Sequence, residues 1–300
     1  MSQFKEVKIG HRLVGEGHPT YIIAEIGINH NGKIEIAKKL MEIAAAADCD
    51  AVKFQKRTVE VVYTSEELAK PRENPFGPTN GDLKHGLEFG YEQYREIDHY
   101  ANELEIDWFA SPWDEGSVDF LEQFDPPCYK VASACLTDAA LLRNMRSKGR
   151  PVFLSTGMST LQQIDRAVEN LGKQNLVLMH CTSTYPSRPE ELNLKVIGEL
   201  RKRYEVPVGY SGHEVGLLPS VGSVLLGACA VERHITLDRA MWGSDQAASI
   251  EPSGLVRLVR DIRQIPETLG DGKKIVYPTE IPILQKLRRV GKEIPVPING

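Results

Sequence analysis

The chain has 300 residues, of which 41% are hydrophobic and 26% charged, and its formal net charge is -5 at pH 7. This composition is typical of a globular protein, and the acidic balance argues against a surface for nucleic acid or an anionic membrane. The sequence has no signal-peptide pattern and no apolar run of the roughly 18 residues that a membrane span needs. Its five scattered cysteines indicate reduced thiols, so we expect a cytoplasmic protein.

Eight short apolar segments alternate with helical patterns along the chain. The strand-like segments are continuous β-branched and aromatic runs, typical of buried parallel strands, at residues 21–27, 50–55, 106–111, 129–133, 151–156, 176–181, 207–212 and 229–235. Helical periodicity is clear at residues 35–48, 91–104, 138–147, 161–171, 192–204 and 252–269. This alternation predicts the α/β class and one (β/α)8 TIM barrel domain over residues 1–300.

Two regions depart from the repeating unit. Residues 1–20 combine turn signals with a short alternating stretch, which predicts an N-terminal hairpin at the bottom of the barrel. Residues 57–90 form a long loop after strand 2, rich in Pro, Gly and Asn. Loops of this length are usually functional, and this one should bring basic side chains near the catalytic face, from Lys56, Arg57, Lys70, Arg72 and Lys84.

Polar side chains gather where the predicted strands end. In a (β/α)8 barrel these ends meet at one mouth, which carries the catalytic groups. Lys53 and Lys130 lie on the second and fourth strands. Lysine is rarely buried unless it is paired, so the two together predict a bound phosphate or carboxylate. Hydroxyl groups at neighbouring strand ends can complete this anion site, namely those of Ser133, Ser155, Ser183 and Ser211.

Two histidines, His213 and His234, end the adjacent seventh and eighth strands. Imidazoles from neighbouring strands can share a divalent metal, although structural hydrogen bonding explains the pair alone equally well. The anion site beside them favours a metal that polarises a carbonyl group while the lysines hold a phosphorylated partner.

The motifs of the chain resemble those of the sialic acid synthase family. The matching segments run in family order across roughly residues 8–290 and are AEIGINHNG (24–32), KFQ (53–55), LEFGYEQYREI (87–97), YKVAS (129–133), LSTGM (154–158), HCTSTYP (180–186), GYSGHEVG (209–216), ERHITLDR (232–239) and GSDQAASIEP (243–252). The resemblance implies an enzyme that condenses phosphoenolpyruvate with an aldose, N-acetylmannosamine-like or its 6-phosphate. The products would be a sialic-acid-like 3-deoxy-2-keto sugar acid and phosphate, released by C–O cleavage.

The resemblance also implies roles for individual residues. A divalent ion, Mn²⁺ or Mg²⁺, would be held by His213 and His234. A carboxylate at the reacting centre would be Glu25. Phosphoenolpyruvate would be bound by Lys53, Lys130, Ser133, Ser155, Ser183 and Ser211, and the acceptor sugar by Gln55, Tyr185 and Asp245.

Two features depart from the family pattern. The family usually has a carboxylate two positions after the serine of the YKVAS-like segment, where this chain has Cys135. Glu25, Asp114 or the phosphate itself would then guide the attacking water. The family also usually continues into a small antifreeze-like domain that lends an arginine to a partner's site, whereas this chain stops at Gly300. We therefore expect the barrel mouth and the long loop to recognise the acceptor, and a homo-oligomer stays open.

Three alternatives remain open on the sequence. A related synthase that makes an octulosonate or a non-acylated nonulosonate would use the same donor and barrel. A barrel aldolase or metal-dependent hydrolase would explain the two histidines but not the two lysines with the serine set. An inactive sugar-phosphate-binding homologue would fit Cys135, but it would not need both histidines and both lysines.

Overall fold

A computed structural model of the chain describes residues 5–293. The chain divides into two compact units, Met1–Arg263 and Gln264–Gly300. The prediction of a single domain over residues 1–300 stays a prediction. None of the helices in residues 5–293 combines the length and the apolar character that crossing a membrane requires.

Twelve strands are present among the described residues. In chain order they are β1 (Glu6–Ile9), β2 (Arg12–Gly15), β3 (Tyr21–Gly27), β4 (Ala51–Lys56), β5 (Pro71–Asn74), β6 (Gly77–Thr79), β7 (Asp107–Pro112), β8 (Tyr129–Val131), β9 (Val152–Ser155), β10 (Leu176–Cys181), β11 (Val208–Gly212) and β12 (Ala230–His234). Eight of them form one parallel sheet in the order β7-β4-β3-β12-β11-β10-β9-β8. Its outer strands β7 and β8 lie against each other, so the sheet closes and the predicted (β/α)8 barrel is confirmed.

Helices follow the barrel strands, as the alternation predicts. The α-helices are α1 (Ile34–Ala46), α2 (Val59–Val62), α3 (Ser65–Leu68), α4 (Asn80–Leu87), α5 (Tyr91–Glu103), α6 (Glu115–Glu122), α7 (Ala139–Ser147), α8 (Leu161–Leu171), α9 (Val196–Tyr204), α10 (Leu218–Leu225), α11 (Pro252–Leu269) and α12 (Ile281–Leu287). Short 3₁₀ helices span Ser133–Cys135, Pro189–Glu191, Gln246–Ala248 and Pro278–Glu280. Helices α6 and α10 complete the repeat where the sequence shows no clear helical pattern.

The barrel strands are buried on both faces, which explains their continuous apolar sequences. Every residue of β3 and β10 is buried. Because strand side chains alternate, Ile22 and Ala24 of β3 pack among the residues under the helices, while Tyr21 and Ile23 point into the barrel. The two faces therefore form two separate apolar cores.

The N-terminal strands β1 and β2 form the predicted antiparallel hairpin. Its side chains Val7, Ile9 and Val14 are buried in the same cluster as the inward-facing Tyr21 and Phe109 of the barrel. The hairpin thus fills the end of the barrel opposite the mouth, which leaves the carboxyl ends of the strands free for a site.

The long connection after β4 is folded rather than structureless. It contains α2, α3, the antiparallel pair of β5 with β6, and α4, whose first turn is closed by a capping box between Thr79 and Asp82. The ring of Phe76 lies edge-on to Trp242 in the loop after β12, with 6.4 Å between the ring centroids. This contact places the connection beside the barrel mouth, as the sequence predicts.

Candidate active site

A cavity of about 230 Å³ opens at the carboxyl ends of the barrel strands. Eleven of the twelve predicted site residues line it, namely Glu25, Lys53, Gln55, Lys130, Ser133, Ser155, Ser183, Tyr185, Ser211, His213 and His234. The twelfth, Asp245, lies beside the cavity with its Oδ2 atom 3.8 Å from Nδ1 of His234. The structure therefore brings the predicted set together, and the role of each residue stays a prediction.

The two lysines of the cavity are paired with two buried glutamates. Nζ of Lys53 lies 2.8 Å from Oε2 of Glu25 and 3.8 Å from Oε1 of Glu232. Nζ of Lys130 lies 2.9 Å from the same oxygen of Glu232. The lysines therefore do not depend on an external anion for their burial, contrary to the inference from the sequence. Two protein carboxylates compensate their charge.

Glu232 is a residue of the cavity that sequence reasoning missed. It precedes His234 by two positions on β12, so the alternation of a strand directs both side chains inward, and this spacing could have identified it. Burial alone would raise the pKa of Glu232, but Lys130 and Lys53 lower it to about 2. Glu232 is therefore ionised at neutral pH.

Glu25 behaves differently from Glu232, although both are buried at the same mouth. Burial raises the pKa of Glu25 to about 7, against the lowering effect of Lys53 and with a raising effect from the Glu232 charge. Near neutral pH, Glu25 can therefore hold or release a proton while Glu232 remains charged. Two carboxyl groups with separated pKa values are typical of acid–base sites.

Gln55 is held between Glu25 and Arg57. Its Nε2 atom donates to Oε1 of Glu25 at 2.9 Å, and its Oε1 atom accepts from the guanidinium of Arg57. Arg57 is only 4% exposed, pairs with Glu88 at 3.2 Å, and lies 4.8 Å from the ring centroid of Trp113. Arg57 is thus a buried part of the site. Arg57 itself does not line the cavity but contacts Gln55, which does, and the other basic residues predicted near the mouth, Lys56, Lys70, Arg72 and Lys84, do not line it either.

The serines form one wall of the cavity. The backbone N–H of Gly157 donates to Oγ of Ser133 at 3.1 Å. A Cβ atom on Gly157 would lie 2.2 Å from Oγ of Ser183 and 2.8 Å from Oγ of Ser133. Glycine at this position therefore keeps space open between the two hydroxyl groups. Cys181, which the sequence did not single out, lines the same wall.

His213 and His234 lie close together, with 5.3 Å between their ring centroids. Nδ1 of His213 is 2.9 Å from the carbonyl oxygen of Thr182, and a hydrogen bond donated there leaves the lone pair of Nε2 free. Nδ1 of His234 is buried without a hydrogen-bond partner. Burial lowers the pKa of His234 to about 4, so this imidazole is neutral at pH 7.

The unpartnered Nδ1 of His234 and the free Nε2 lone pair of His213 therefore fit the donor chemistry of a divalent metal. Within residues 5–293, no group of three or more His, Cys, Asp or Glu side chains is already arranged around a metal position. The two histidines, with the carboxylate of Asp245 nearby, supply only part of a coordination sphere. Such an open set leaves positions for water or substrate.

The position that departs from the family pattern, Cys135, does not line the cavity. It ends the 3₁₀ turn Ser133–Cys135 and packs in the core under the helices, and burial raises the pKa of its thiol to about 12. Asp114 is also occupied, because it caps α6 and accepts two hydrogen bonds from Thr58. Of the two protein carboxylates considered for guiding water, Glu25 is the one that lines the cavity.

Two other histidines near strand ends are structural. Nε2 of His180 is 2.7 Å from the carbonyl oxygen of Leu192. His30 stacks on Phe89 with 4.0 Å between ring centroids, and its Nδ1 atom accepts a hydrogen bond from the N–H of Gly32. Burial lowers the pKa of His30 from its ordinary value of 6.5 to about 3.

The neutral His30 should make the protein sensitive to acid. Between about pH 6.5 and pH 3 the unfolded chain binds a proton at this residue and the folded chain does not. The free energy of unfolding therefore falls as the pH drops, by at most about 1.4 kcal/mol per pH unit. Urea unfolding at about pH 7.5 and pH 5 measures how far the free energy of unfolding drops between the two pH values. We expect this drop to be smaller in His30→Gln than in the parent, by at most about 2 kcal/mol. His99→Gln, at an exposed position of α5, is the control, and an unchanged pH slope in His30→Gln would refute the assignment.

The chain is similar in sequence and in fold to proteins of one enzyme family. Residues 40–274 match the NeuB family. The chain is 42% identical over 282 residues to the N-acetylneuraminate-9-phosphate synthase of Homo sapiens, which covers 92% of this chain and 78% of the relative. It is 36% identical over 285 residues to the N,N'-diacetyllegionaminic acid synthase of Legionella pneumophila, and this match covers 92% of this chain and 80% of the relative. A solved N-acetylneuraminic acid (sialic acid) synthetase from Leptospira borgpetersenii, in complex with citrate, superposes with a TM-score of 0.82 at 30% identity, covering 95% of this chain and 98% of that one.

Proposed function

Because this chain belongs to the NeuB family, we propose that it is a sialic acid synthase-like transferase that uses phosphoenolpyruvate. The acceptor is an N-acetylmannosamine-like aldose or its 6-phosphate, and the products are a 3-deoxy-2-keto sugar acid and phosphate. The observation that carries this proposal is the convergence of two lysines, four serines and two histidines on one cavity. The relatives named above are synthases of acetylated sugar acids, which favours this reaction over the octulosonate alternative.

The donor binds through the lysines and the serine wall. Phosphoenolpyruvate carries a phosphate and a carboxylate, and both are matched by the ammonium groups of Lys53 and Lys130 and by the four hydroxyl groups. The lysines are already compensated by Glu25 and Glu232. Uptake of a proton by Glu25, whose pKa burial raises to about 7, removes one negative charge when the anionic donor enters.

The reaction forms one bond between carbons and breaks one bond to phosphate. C3 of the enol phosphate attacks the aldehyde carbon of the open-chain sugar, whose oxygen takes up a proton, and water adds at C2 with loss of a proton. The C–O bond of the resulting hemiketal phosphate breaks, which leaves the keto acid. Gln55, Tyr185 and Asp245 hold the acceptor, and holding both substrates in line removes most of the entropic cost of their encounter. Glu25, which lines the cavity, is the protein carboxylate that orients the water.

The site also uses a divalent ion, Mn²⁺ or Mg²⁺. His213 and His234 would hold it through the free nitrogen lone pairs of their rings, and Asp245 lies close enough to contribute negative charge. A bound divalent ion supplies Lewis-acid polarisation of the acceptor aldehyde.

The proposal is tested by measuring phosphate release from phosphoenolpyruvate with Mn²⁺ and a panel of aldoses. We expect turnover with N-acetylmannosamine or its 6-phosphate, and only weak discrimination against the corresponding non-acylated sugars, mannose and its 6-phosphate. Preference for arabinose 5-phosphate would favour the octulosonate synthase instead. A protein that binds the substrates but releases no phosphate with any sugar would be the inactive homologue.

Arg57 should affect the acceptor more than the donor. Its guanidinium holds Oε1 of Gln55, so the amide presents Nε2 to Glu25 in a fixed orientation. Arg57→Ala removes a charge-assisted hydrogen bond worth about 1.5–3 kcal/mol, so we expect the KM of the acceptor to rise by roughly 10- to 150-fold. The KM of phosphoenolpyruvate should change less than about twofold.

The matched control for Arg57 is Arg72→Ala in steady-state kinetics. Arg72 is an exposed arginine of the same connection, and its Nη1 atom lies 3.2 Å from Oδ1 of Asn80. The sequence suggested that it also contacts the acceptor, but its partner Asn80 does not line the cavity, whereas Gln55, the partner of Arg57, does, so the kinetics of Arg72→Ala should match those of the parent. Equal effects of the two variants on the acceptor KM would contradict the buried role of Arg57.

The cellular setting is a further part of the proposal. The five cysteines are free thiols in buried positions, which supports a reducing cytoplasm. We propose that the enzyme acts on small molecules as a homo-oligomer, without nucleic acid or membrane partners. Sedimentation equilibrium of the purified chain measures the oligomeric state directly, and a monomer at all concentrations would contradict that part.

A further inference from the structure

The residues adjacent in sequence to the two cavity histidines contact each other outside the cavity. Glu214 follows His213, and Arg233 precedes His234 on β12. Since strand side chains alternate, Arg233 points away from the barrel interior when His234 and Glu232 point into it. Glu214 and Arg233 are 1% and 2% exposed, so their charges are withdrawn from water.

Arg233 donates two hydrogen bonds to Glu214. Its Nη1 atom donates to Oε1 of the Glu214 carboxylate at 2.9 Å, and its Nη2 atom donates to the Glu214 carbonyl oxygen at 2.6 Å. The second bond reaches the main chain directly beside His213. Tyr210 donates to Oε2 of the carboxylate at 2.8 Å, and Ser220 donates to Oε1 at 2.9 Å. Both carboxylate oxygens are therefore engaged, which fixes the carboxylate in one orientation.

Gly212 provides the room for this ion pair. A Cβ atom on Gly212 would lie 2.5 Å from Oε2 of Glu214 and 3.0 Å from Cδ of Arg233. Gly212 and Arg233 are also partners in the register of β11 with β12. The pair therefore packs directly against the backbone that ends in His213, and it couples that backbone to the strand that ends in His234.

We propose that the Glu214–Arg233 pair fixes the separation and orientation of His213 and His234 for a divalent ion. Both are positioning residues, since neither lines the cavity. The two histidines come from different strand ends, and the pair joins the residues next to them on the opposite face of the sheet. Small shifts of either strand end would change the spacing of the imidazoles, and a buried, geometrically fixed ion pair resists such shifts. This inference rests on the proposed metal role of the histidines.

The test compares Mn²⁺ binding by electron paramagnetic resonance titration in the full chain and its variants. We expect Glu214→Gln to raise the Mn²⁺ dissociation constant by about 10- to 100-fold, the effect typical of residues that orient metal ligands. Tyr210→Phe, which removes only one hydroxyl group from the carboxylate, should raise it by a smaller factor. It keeps the test valid if Glu214→Gln does not fold, and circular dichroism checks both folds.

The control is Asp50→Asn, because Asp50 is another buried carboxylate of the barrel. It pairs with Arg263 at 2.9 Å and accepts from the N–H of Ile22, at the start of the strands rather than at the mouth. We expect this variant to lose stability without a change in Mn²⁺ affinity. Arg233→Lys, which keeps the charge but not both hydrogen bonds, should restore part of the affinity lost in Arg233→Gln.

Three outcomes separate the inference from the proposed function. Weakened Mn²⁺ binding in folded Glu214→Gln or Tyr210→Phe, with parent affinity in Asp50→Asn, supports the positioning role. Parent Mn²⁺ affinity in both Glu214→Gln and Tyr210→Phe overturns the positioning role and leaves the metal role of the histidines intact. Absence of Mn²⁺ binding by the parent chain overturns the metal role and the positioning role together.

Discussion

Replacing His213 or His234 with alanine is expected to lower kcat by about a thousandfold or more. Each variant removes one of the two imidazoles whose rings lie 5.3 Å apart at the mouth of the barrel. Lewis-acid polarisation of a carbonyl is worth several kcal/mol, and about 4 kcal/mol corresponds to a thousandfold in rate. Mn²⁺ binding should be lost in parallel, whereas circular dichroism should report an intact barrel.

Two further measurements sharpen this expectation. Treatment of the parent with a chelator should abolish phosphate release, and added Mn²⁺ should restore it. His85→Ala is the matched control, because His85 is an exposed histidine that pairs with Glu60 on the long connection. Full activity of the chelated parent without added metal would show that the Lewis-acid role is wrong, even if the histidine variants were inactive.

Lys130→Met is expected to have the second large effect, on the donor and on stability at once. The variant loses a charge-assisted contact to phosphoenolpyruvate worth about 1.5–3 kcal/mol, so the KM of the donor should rise by roughly 10- to 150-fold. It also leaves Glu232 without the ammonium group that lies 2.9 Å away. A buried charge without its partner typically costs about 3–5 kcal/mol, which urea unfolding will measure.

A second substitution separates these two consequences. The double variant Lys130→Met/Glu232→Gln has no orphaned buried carboxylate there, so most of the stability should return. Donor binding should remain impaired, because the cation is still missing. Lys148→Met serves as the control, since Lys148 pairs with the exposed Asp119 on the outer surface. A normal donor KM in both Lys130 variants would show that this lysine does not bind the donor.

The sequence by itself determined the barrel, because its evidence is local. The wholly buried strands β3 and β10 appear as uninterrupted apolar runs, and each predicted strand end agrees with the structure to within two residues. Strand alternation also sets inward and outward faces, which placed Lys53, Lys130 and His234 at the mouth. The metal and substrate roles of these residues stay predictions.

The tertiary structure alone decided which side chains meet across the mouth. Lys130 and Glu232 are 102 positions apart in the chain, and their contact depends on strand order and register around the whole barrel. Arg57 follows β4 directly, and the sequence predicts it near the catalytic face, but not its enclosure by Glu88 and Trp113. Such pairings come from long-range packing, which local patterns of hydrophobicity do not encode. For that reason the sequence supplied the members of the site, and the fold supplied their electrostatic partners.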